Sequence, residues 1–298
     1  MTVANSSALR CTVCSGAAKR LRHSDKWGFD VAKCRTCATV FVVDAERFAF
    51  AGQTAEDVNT NRDWDGYVDS MRNDDETRQR VLDRIQAKLP RELTKPMLFD
   101  VGAGAGDFLI MARDRGFDVT GNELSASAIT FAAETRQIVL SDQLIDAQPE
   151  RSVDAMTMWC VVAHVPDAQA FLADAFRMLR PGGVLFLRTP RWCAIDTAGT
   201  ALAKVTRGKK AGLADRRVFP GHVRLYNAKS IATQLRDVGF TDVDAIPTVH
   251  YSLTTDTLIS GVGAKGFLRK QARLLDGLIE RGWMPRNALM VYARRPRD

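Results

Sequence analysis

Four cysteines fall in two pairs near the start of the chain, Cys11-x2-Cys14 and Cys34-x2-Cys37, with nineteen residues between the pairs. Each Cys-x2-Cys knuckle turns two thiolates inward, and two knuckles complete a tetrahedral S4 site for Zn2+ that leaves no position open for water. The spacing therefore predicts a structural metal rather than a catalytic one. The intervening AAKRLRHSDKWGFDVAK alternates polar and apolar residues around Trp27, Phe29 and Val31, as a ribbon strand does. A segment this short cannot bury a core, so metal binding would supply its folding energy. Cys160 and Cys193 have no partner at ligand spacing.

A second constellation lies in LFDVGAGAGDFLIMARDRGFDVTGNEL, residues 98 to 124. An apolar run ends in Asp100-Val101-Gly102-Ala103-Gly104-Ala105-Gly106, where bare backbone must turn sharply and come close to a ligand. Gly-x-Gly-x-Gly is not the Gly-x-Gly-x-x-Gly fingerprint of dinucleotide sites, and no Gly-Lys-Ser/Thr follows to hold a phosphate. Seventeen residues after Gly106 a second strand ends at Glu123, whose carboxylate can accept hydrogen bonds from vicinal ribose hydroxyls. The loop and the acid together specify a ribose-bearing ligand.

These residues need a scaffold that places strand ends beside helix starts. From Met97 onward strand and helix patterns alternate: MLFDVGAG, then the helix FLIMARDRG, the strand DVTGNEL, and the helix SASAITFAAETRQ opened by Ser125 as its cap. IVLSD, VDAMTMWCVVAHV, the helix DAQAFLADAFRMLR stopped by Pro181-Gly182-Gly183, and VLFLRTP follow. After an interruption over 190–223 the pattern resumes with NAKSIATQLRDVGF, ended by Gly239, and a closing strand NALMVYARR. Repeated βα units of this kind make an α/β fold, a mostly parallel sheet with helices on both faces. The expected organisation is a zinc ribbon over 1–47, a helical linker over 48–95 with Val81, Leu82, Ile85 and Leu89 at helical spacing, and the α/β domain over 96–298.

The chain has 298 residues, 46% of them apolar, enough for a full core. The N-terminus lacks the basic start and apolar stretch of an export signal, and no run approaches the roughly 20 apolar residues of a membrane span. The expected compartment is the cytoplasm, in keeping with metal-type cysteines. The formal net charge is +7. The interrupted region concentrates it: Arg188, Arg191, Lys204, Arg207, Lys209, Lys210, Arg216, Arg217 and Arg224 stand against Asp196 and Asp215. Such a surface would attract an anionic partner, or serve only as a solvated loop; its AIDTAGTALAKV also permits peripheral contact with a membrane.

The sequence resembles the class I S-adenosylmethionine-dependent methyltransferases. The likeness rests on DVGAGAGDF, on Glu123 closing the second strand, and on FRMLRPGGVLFLRTP with its LRPGG turn. It implies a Rossmann-like sheet, with Asp100, Gly102, Ala103, Gly104 and Gly106 under the amino-acid part of the cofactor and Glu123 with Leu124 at the ribose. Asp142 would approach the adenine amine, and Trp159 and Cys160 would line the pocket. VDAMTMWCVVAHVPD resembles a segment that carries Glu-His-hydrophobic-Pro-Asp in many small-molecule methyltransferases, but Ala163 stands in place of the Glu. The four-cysteine ribbon and the phrase GHVRLYNAKSI, with His222 and Tyr226, resemble a bacterial subfamily associated with glycan and natural-product modification.

Methyl transfer to a hydroxyl needs a base. His164, just past the fourth strand at the sheet's carboxyl edge, is the first candidate, and His222 the second; packing and lid-anchoring roles are the alternatives. His23 and His250 stand alone. The reading is O-methylation of a sugar or other small-molecule hydroxyl. An RNA methyltransferase gripping its substrate with the ribbon is the alternative. Few aromatics interleave the ribbon's cations, and no Asn/Asp-Pro-Pro-aromatic clamp closes the fourth strand. A cofactor-binding scaffold without catalysis is the third reading, drawn from the missing acid at position 163.

Overall fold

In the computed structural model the described residues are 9–48, 75–218, 222–249 and 285–298. The early part of the expected linker and His250 lie outside them. The described residues form two compact units, 9–48 with 190–218, 222–234, 247–249 and 285–289, and 75–189 with 235–246 and 290–298. Among the described residues no helix is long and apolar enough to cross a membrane.

The first unit holds a sheet of β1 (Ala18–Ser24), β2 (Phe29–Cys34), β3 (Val40–Val42) and β8 (Arg224–Leu225), in that order. β1 and β2 pair antiparallel as a hairpin, with a register shift between Arg20 and Arg22. The alternation noted around Phe29 and Val31 is the inner face of β2: both are buried in a cluster with Val40, Val42, Val218, Val223 and Leu225. Residues from a distant stretch thus cover the ribbon and give it an apolar core, where the short segment by itself predicts none. That stretch also contributes α5 (Ala194–Val205) and the one-turn α6 (Gly212–Arg217), joined by Arg217 Nε donating to Asp196 Oδ1 at 2.7 Å.

The second unit is built on a six-stranded sheet. Its order is β5 (Asp118–Asn122), β4 (Met97–Val101), β6 (Val153–Trp159), β7 (Leu179–Pro190), β10 (Ala288–Arg294) and β9 (Thr241–Thr248). β4 pairs parallel with β5 and β6, and β6 with β7. The helices are α1 (Asp75–Lys88), α2 (Asp107–Asp114), α3 (Ala126–Arg136) and α4 (Ala168–Met178), while α7 (Ala228–Val238) has its first seven residues in the first unit and its last four in the second. Ser125 caps α3 as expected, accepting from the Ala128 amide. Val81, Leu82 and Ile85 of α1 pack fully buried with Leu98, Phe108, Leu109 and Phe186. Burial of each such side chain contributes roughly 1.5–3 kcal/mol.

Two local expectations change. α4 ends at Met178, before the Pro-Gly-Gly turn, and β7 begins at Leu179. The register between β6 and β7 jumps from Val153↔Leu179 to Ala155↔Val184, so Arg180 to Gly183 bulge out of the sheet. A Cβ at Gly183 would come within 2.8 Å of the Arg180 carbonyl oxygen, which explains a glycine in the bulge. IVLSD is the other change: it contributes a single parallel bridge, Asn122↔Ser141, rather than a strand. Val139 in its middle is 83% exposed, and an edge with one face bare gains little from extended pairing.

Candidate functional site

The glycine loop leaves the carboxyl end of β4 and enters α2. Gly102, Gly104 and Gly106 all have left-handed backbone, with φ of 66°, 56° and 81°. Such angles disfavour any side chain, and at Gly102 a Cβ would also come within 3.0 Å of Val161. At Gly104 a Cβ would meet nothing within 4 Å, so this face of the loop borders open space. Gly106 begins α2 without a side-chain cap. The first amides of that helix are thus left for water or a ligand.

The loop is held from β5. Asn122 Oδ1 accepts from the Gly102 amide at 3.3 Å, its Nδ2 donates to the Gln143 carbonyl at 2.9 Å, and its own carbonyl accepts from the Ala103 amide at 2.9 Å. Glu123 Oε2 accepts from the Gly104 amide at 2.8 Å. Its Oε1 accepts from the Leu124 and Ser125 amides at 2.7 and 3.0 Å. The carboxylate therefore stands against the central glycine, with its charge met by backbone dipoles. Gly121 permits the strands to approach: a Cβ there would lie 2.5 Å from the Asp100 carbonyl oxygen.

Asp100 is buried in the sheet and accepts from the Thr157 hydroxyl at 2.5 Å. Burial pushes its carboxyl up to about 7, against the Thr157 hydrogen bond and the nearby Arg78 charge, which pull it down. The unfolded chain releases this proton near pH 4, while the folded one keeps it to about 7. Stability from this group is therefore undiminished below pH 4 and falls as pH rises toward 7. Asp100→Asn removes the titration and keeps an acceptor for Thr157. Its stability relative to the parent is expected to rise by on the order of 4 kcal/mol between pH 4 and pH 8, read by urea unfolding across that range. A constant difference would show that Asp100 stays ionised in the fold.

Arg78 of α1 is a functional candidate that periodicity did not single out. It is 8% exposed, its Nε is buried without a partner among the described residues, and its charge acts on both Asp100 and Asp107. A cation beside the loop with an unused donor is suited to a carboxylate ligand. In sequence it is one arginine among several on a charged helix, and only the fold sets it beside the loop. Asn122 and Thr157 were missed for the same reason.

The other sequence candidates fall variously. Asp142 is exposed in the turn after Ser141. Trp159 ends β6 with its ring 5.0 Å from Phe108 and 4.8 Å from Phe186, and the Arg188 guanidinium lies 4.9 Å from it. Its Nε1 is buried with no partner among the described residues. Cys160 has φ of 67°, a strained angle for cysteine that turns the chain out of the sheet. His164 follows, half-buried, with its amide donating to the Val161 carbonyl at 2.9 Å, and Ala163 beside it is fully buried. Burial lowers the His164 imidazole to about 4, so it is neutral near pH 7. His222 belongs to the first unit, half-buried just before β8. Tyr226 beyond it is fully buried and donates to Gln234 Oε1 at 2.8 Å, a packing role.

The cationic surface expected over the insertion is thinned by pairing. Arg224 is 1% exposed and donates to Thr12, Arg188 is buried, and Arg217 is held by Asp196. Lys204, Arg207, Lys209 and Lys210 remain exposed.

In the first unit Cys11, Cys14, Cys34 and Cys37 present Sγ atoms that all lie within 4.8 Å of one another. Cys11 and Cys37 are 3.6 Å apart, as are Cys14 and Cys34. A tetrahedron with Zn–S of about 2.3 Å has sulfur–sulfur edges of about 3.8 Å, so this donor set fits Zn2+. The Val13 amide donates to Cys11 Sγ, and the Thr36 and Cys37 amides to Cys34 Sγ.

Comparisons with known proteins cover most of the second unit and part of the first. A family model described as a methyltransferase domain matches residues 74–245. The chain is 34% identical over 97 residues to the 2-methyl-6-phytyl-1,4-hydroquinone methyltransferase of Synechocystis sp., covering 30% of each. It is 31% identical over 102 residues to the ubiquinone biosynthesis O-methyltransferase of Pseudomonas fluorescens, covering 31% of this chain and 43% of that one. The like-named protein of Xanthomonas oryzae pv. oryzae matches at 31% over 130 residues, 40% of this chain and 54% of its own. The chain thus spans about a third to a half of these relatives' length. Among solved structures, the Haloferax volcanii complex of the Trm112 methyltransferase activator with a methyltransferase contains a chain with a TM-score of 0.50 at 15% identity. That alignment covers 74% of this chain and 95% of the other, and it speaks to the fold alone.

Proposed function

The chain belongs to the methyltransferase-domain family through residues 74–245, and on that premise we propose that it transfers a methyl group from S-adenosylmethionine to a hydroxyl of a small molecule. The observation that carries this reading is the Glu123 carboxylate set against the Gly104 amide at the carboxyl edge of β4 and β5. Ligands in open α/β sheets bind at that edge. When bound, S-adenosylmethionine would supply the methyl on its sulfonium sulfur, which an aligned acceptor oxygen would take in line as the S–CH3 bond breaks and S-adenosylhomocysteine leaves.

In this proposal Glu123 accepts from the ribose hydroxyls and the glycine loop lies under the amino-acid part. Arg78 pairs through its free Nε with the cofactor's carboxylate. Asp142 faces the adenine amine, and Trp159 and Cys160 line the wall. We read the four cysteines as a structural zinc site on the same footing.

His164 takes the acceptor's proton. An imidazole lowered to about 4 is always in its base form near pH 7 but has little driving force for a hydroxyl of high pKa. It suits an acidic hydroxyl such as a phenol, which ionises near pH ~10, better than a sugar hydroxyl. The names of the hydroquinone and ubiquinone relatives support the phenolic class, with sugars as the second class to screen.

The test is transfer of labelled methyl groups to a panel of catechols, hydroquinones and glycosides. With an accepted substrate, His164→Gln is expected to lower kcat about 10²-fold or more with cofactor affinity unchanged. The parent's kcat/KM should stay flat from pH 8 to about 5 and decline toward pH 4, where the imidazole protonates. Unchanged turnover in His164→Gln would leave the histidine a packing role and pass the base to His222.

A further inference from the structure

We propose that the first unit carries a binding pocket for a phosphate group, in the cleft between the β1–β2 hairpin and the carboxyl end of α5. The cleft holds about 330 Å³, within the roughly 300–1,000 Å³ typical of small-molecule sites. From the hairpin its wall is formed by Arg22, His23, Asp25 and Lys26, and from the α5 side chiefly by Lys204, Arg207, Gly208 and Asp215. Four fixed cations thus face two carboxylates.

The charges are arranged unevenly. Asp215 is spent: its Oδ1 accepts from Arg22 Nη1 at 2.6 Å and from Ser24 Oγ at 2.8 Å, and its carbonyl from Trp27 Nε1 at 3.1 Å. Asp25 is 89% exposed at the rim. His23 is turned to Asp30, with Nδ1 2.9 Å from Oδ1. Lys26, with its ammonium 4.4 Å from the Trp27 ring centroid, joins Lys204 and Arg207, and among the described residues none of the three has a carboxylate partner.

The observation that marks a ligand site is Arg22 itself. Its side chain is 5% exposed, fixed by Asp215 through Nη1, and its Nη2 is buried with no partner among the described residues. An unpaired buried guanidinium donor is destabilising, and native structures rarely leave one without a ligand, ion or water. A guanidinium held rigid by a carboxylate, with flexible ammonium and guanidinium groups at the mouth, has the donor geometry for a phosphate and its several acceptor oxygens. Gly208, φ 84°, admits the turn that brings Arg207 beside the hairpin, and a Cβ there would come within 3.2 Å of Asp25 Oδ2. The occupant inferred is a small molecule bearing a phosphate or diphosphate. This inference does not rest on the methyl-transfer reading, since none of its residues is given a part in cofactor binding or proton transfer.

The test is calorimetric titration of the full, zinc-loaded chain with inorganic phosphate and pyrophosphate at pH 7.5 in 150 mM chloride. Saturable binding at millimolar or tighter Kd is expected, pyrophosphate the stronger. The double variant Lys204→Gln/Arg207→Gln, both exposed positions, should weaken it at least tenfold at unchanged zinc content and melting temperature. Arg22→Lys, which keeps the charge and removes the fork, should weaken it severalfold. Absence of saturable binding, or equal affinity in the double variant, would overturn the proposal. So would a single-stranded RNA that binds far more tightly than pyrophosphate and loses affinity in the same variants, since the cleft would then be part of a nucleic-acid surface. Glu123→Ala should leave phosphate binding intact, which keeps the failure of either reading separate from the other.

Discussion

Replacing Cys34 with serine, or stripping the protein with a strong chelator, is expected to open the cysteine knuckles and destabilise the first unit strongly. Cys34 is 2% exposed, and its sulfur accepts from two amides, those of Thr36 and Cys37. Around it three other sulfurs converge within 4.8 Å. Four buried or half-buried thiols are ill suited to this proximity unless a cation gathers them, and structural zinc in comparable peptides contributes about 10–16 kcal/mol. The apolar cluster beneath β2 and β3 offsets part of the loss, so residual sheet structure should survive while the knuckles open. We expect one zinc per chain in the parent and none in Cys34→Ser, with a melting temperature for the unit lower by more than ~10 °C, the shift of a loss of several kcal/mol in a domain of this size. Cys160→Ser and Cys193→Ser should keep the metal. A metal-free parent with the same melting temperature as the loaded one would reduce the four cysteines to buried thiols.

Glu123→Ala should weaken S-adenosylmethionine binding by one to two orders of magnitude, about 1.4–2.8 kcal/mol. The carboxylate does two things at once. It offers charge to donors on the ligand, and through the Gly104, Leu124 and Ser125 amides it fixes the loop in the shape the ligand meets. Hydrogen bonds to a charged acceptor contribute about 1.5–3 kcal/mol each, and some of that is recovered by water after truncation. Glu123→Gln separates charge from shape. One oxygen becomes an NH2 facing amides that also donate, so it should bind nearly as poorly as the alanine variant. Calorimetry on the three proteins reads this directly, and an alanine variant that binds as tightly as the parent would remove Glu123 from the cofactor site. It would leave the family assignment, which rests on the whole span 74–245, untouched.

The local parts of this protein were written in the sequence because local geometry needs few residues. The cysteine knuckles, the left-handed glycines, the Ser125 cap and the burial of Val81, Leu82 and Ile85 each follow from spacing within a turn or two. The parallel sheet followed from the alternation of those local periods. Tertiary structure alone decided which distant groups met. Short β8 completes the ribbon sheet through Val40↔Leu225, Arg22 finds Asp215 across 193 positions, and Arg78 reaches the loop's carboxylates. It also decided which cations are surface and which are core, burying Arg224 while leaving Lys204 in solvent. A two-residue strand or a lone arginine has no periodicity to announce it. Its place is set by the sum of packing and desolvation over the whole chain, a quantity that no window of sequence contains.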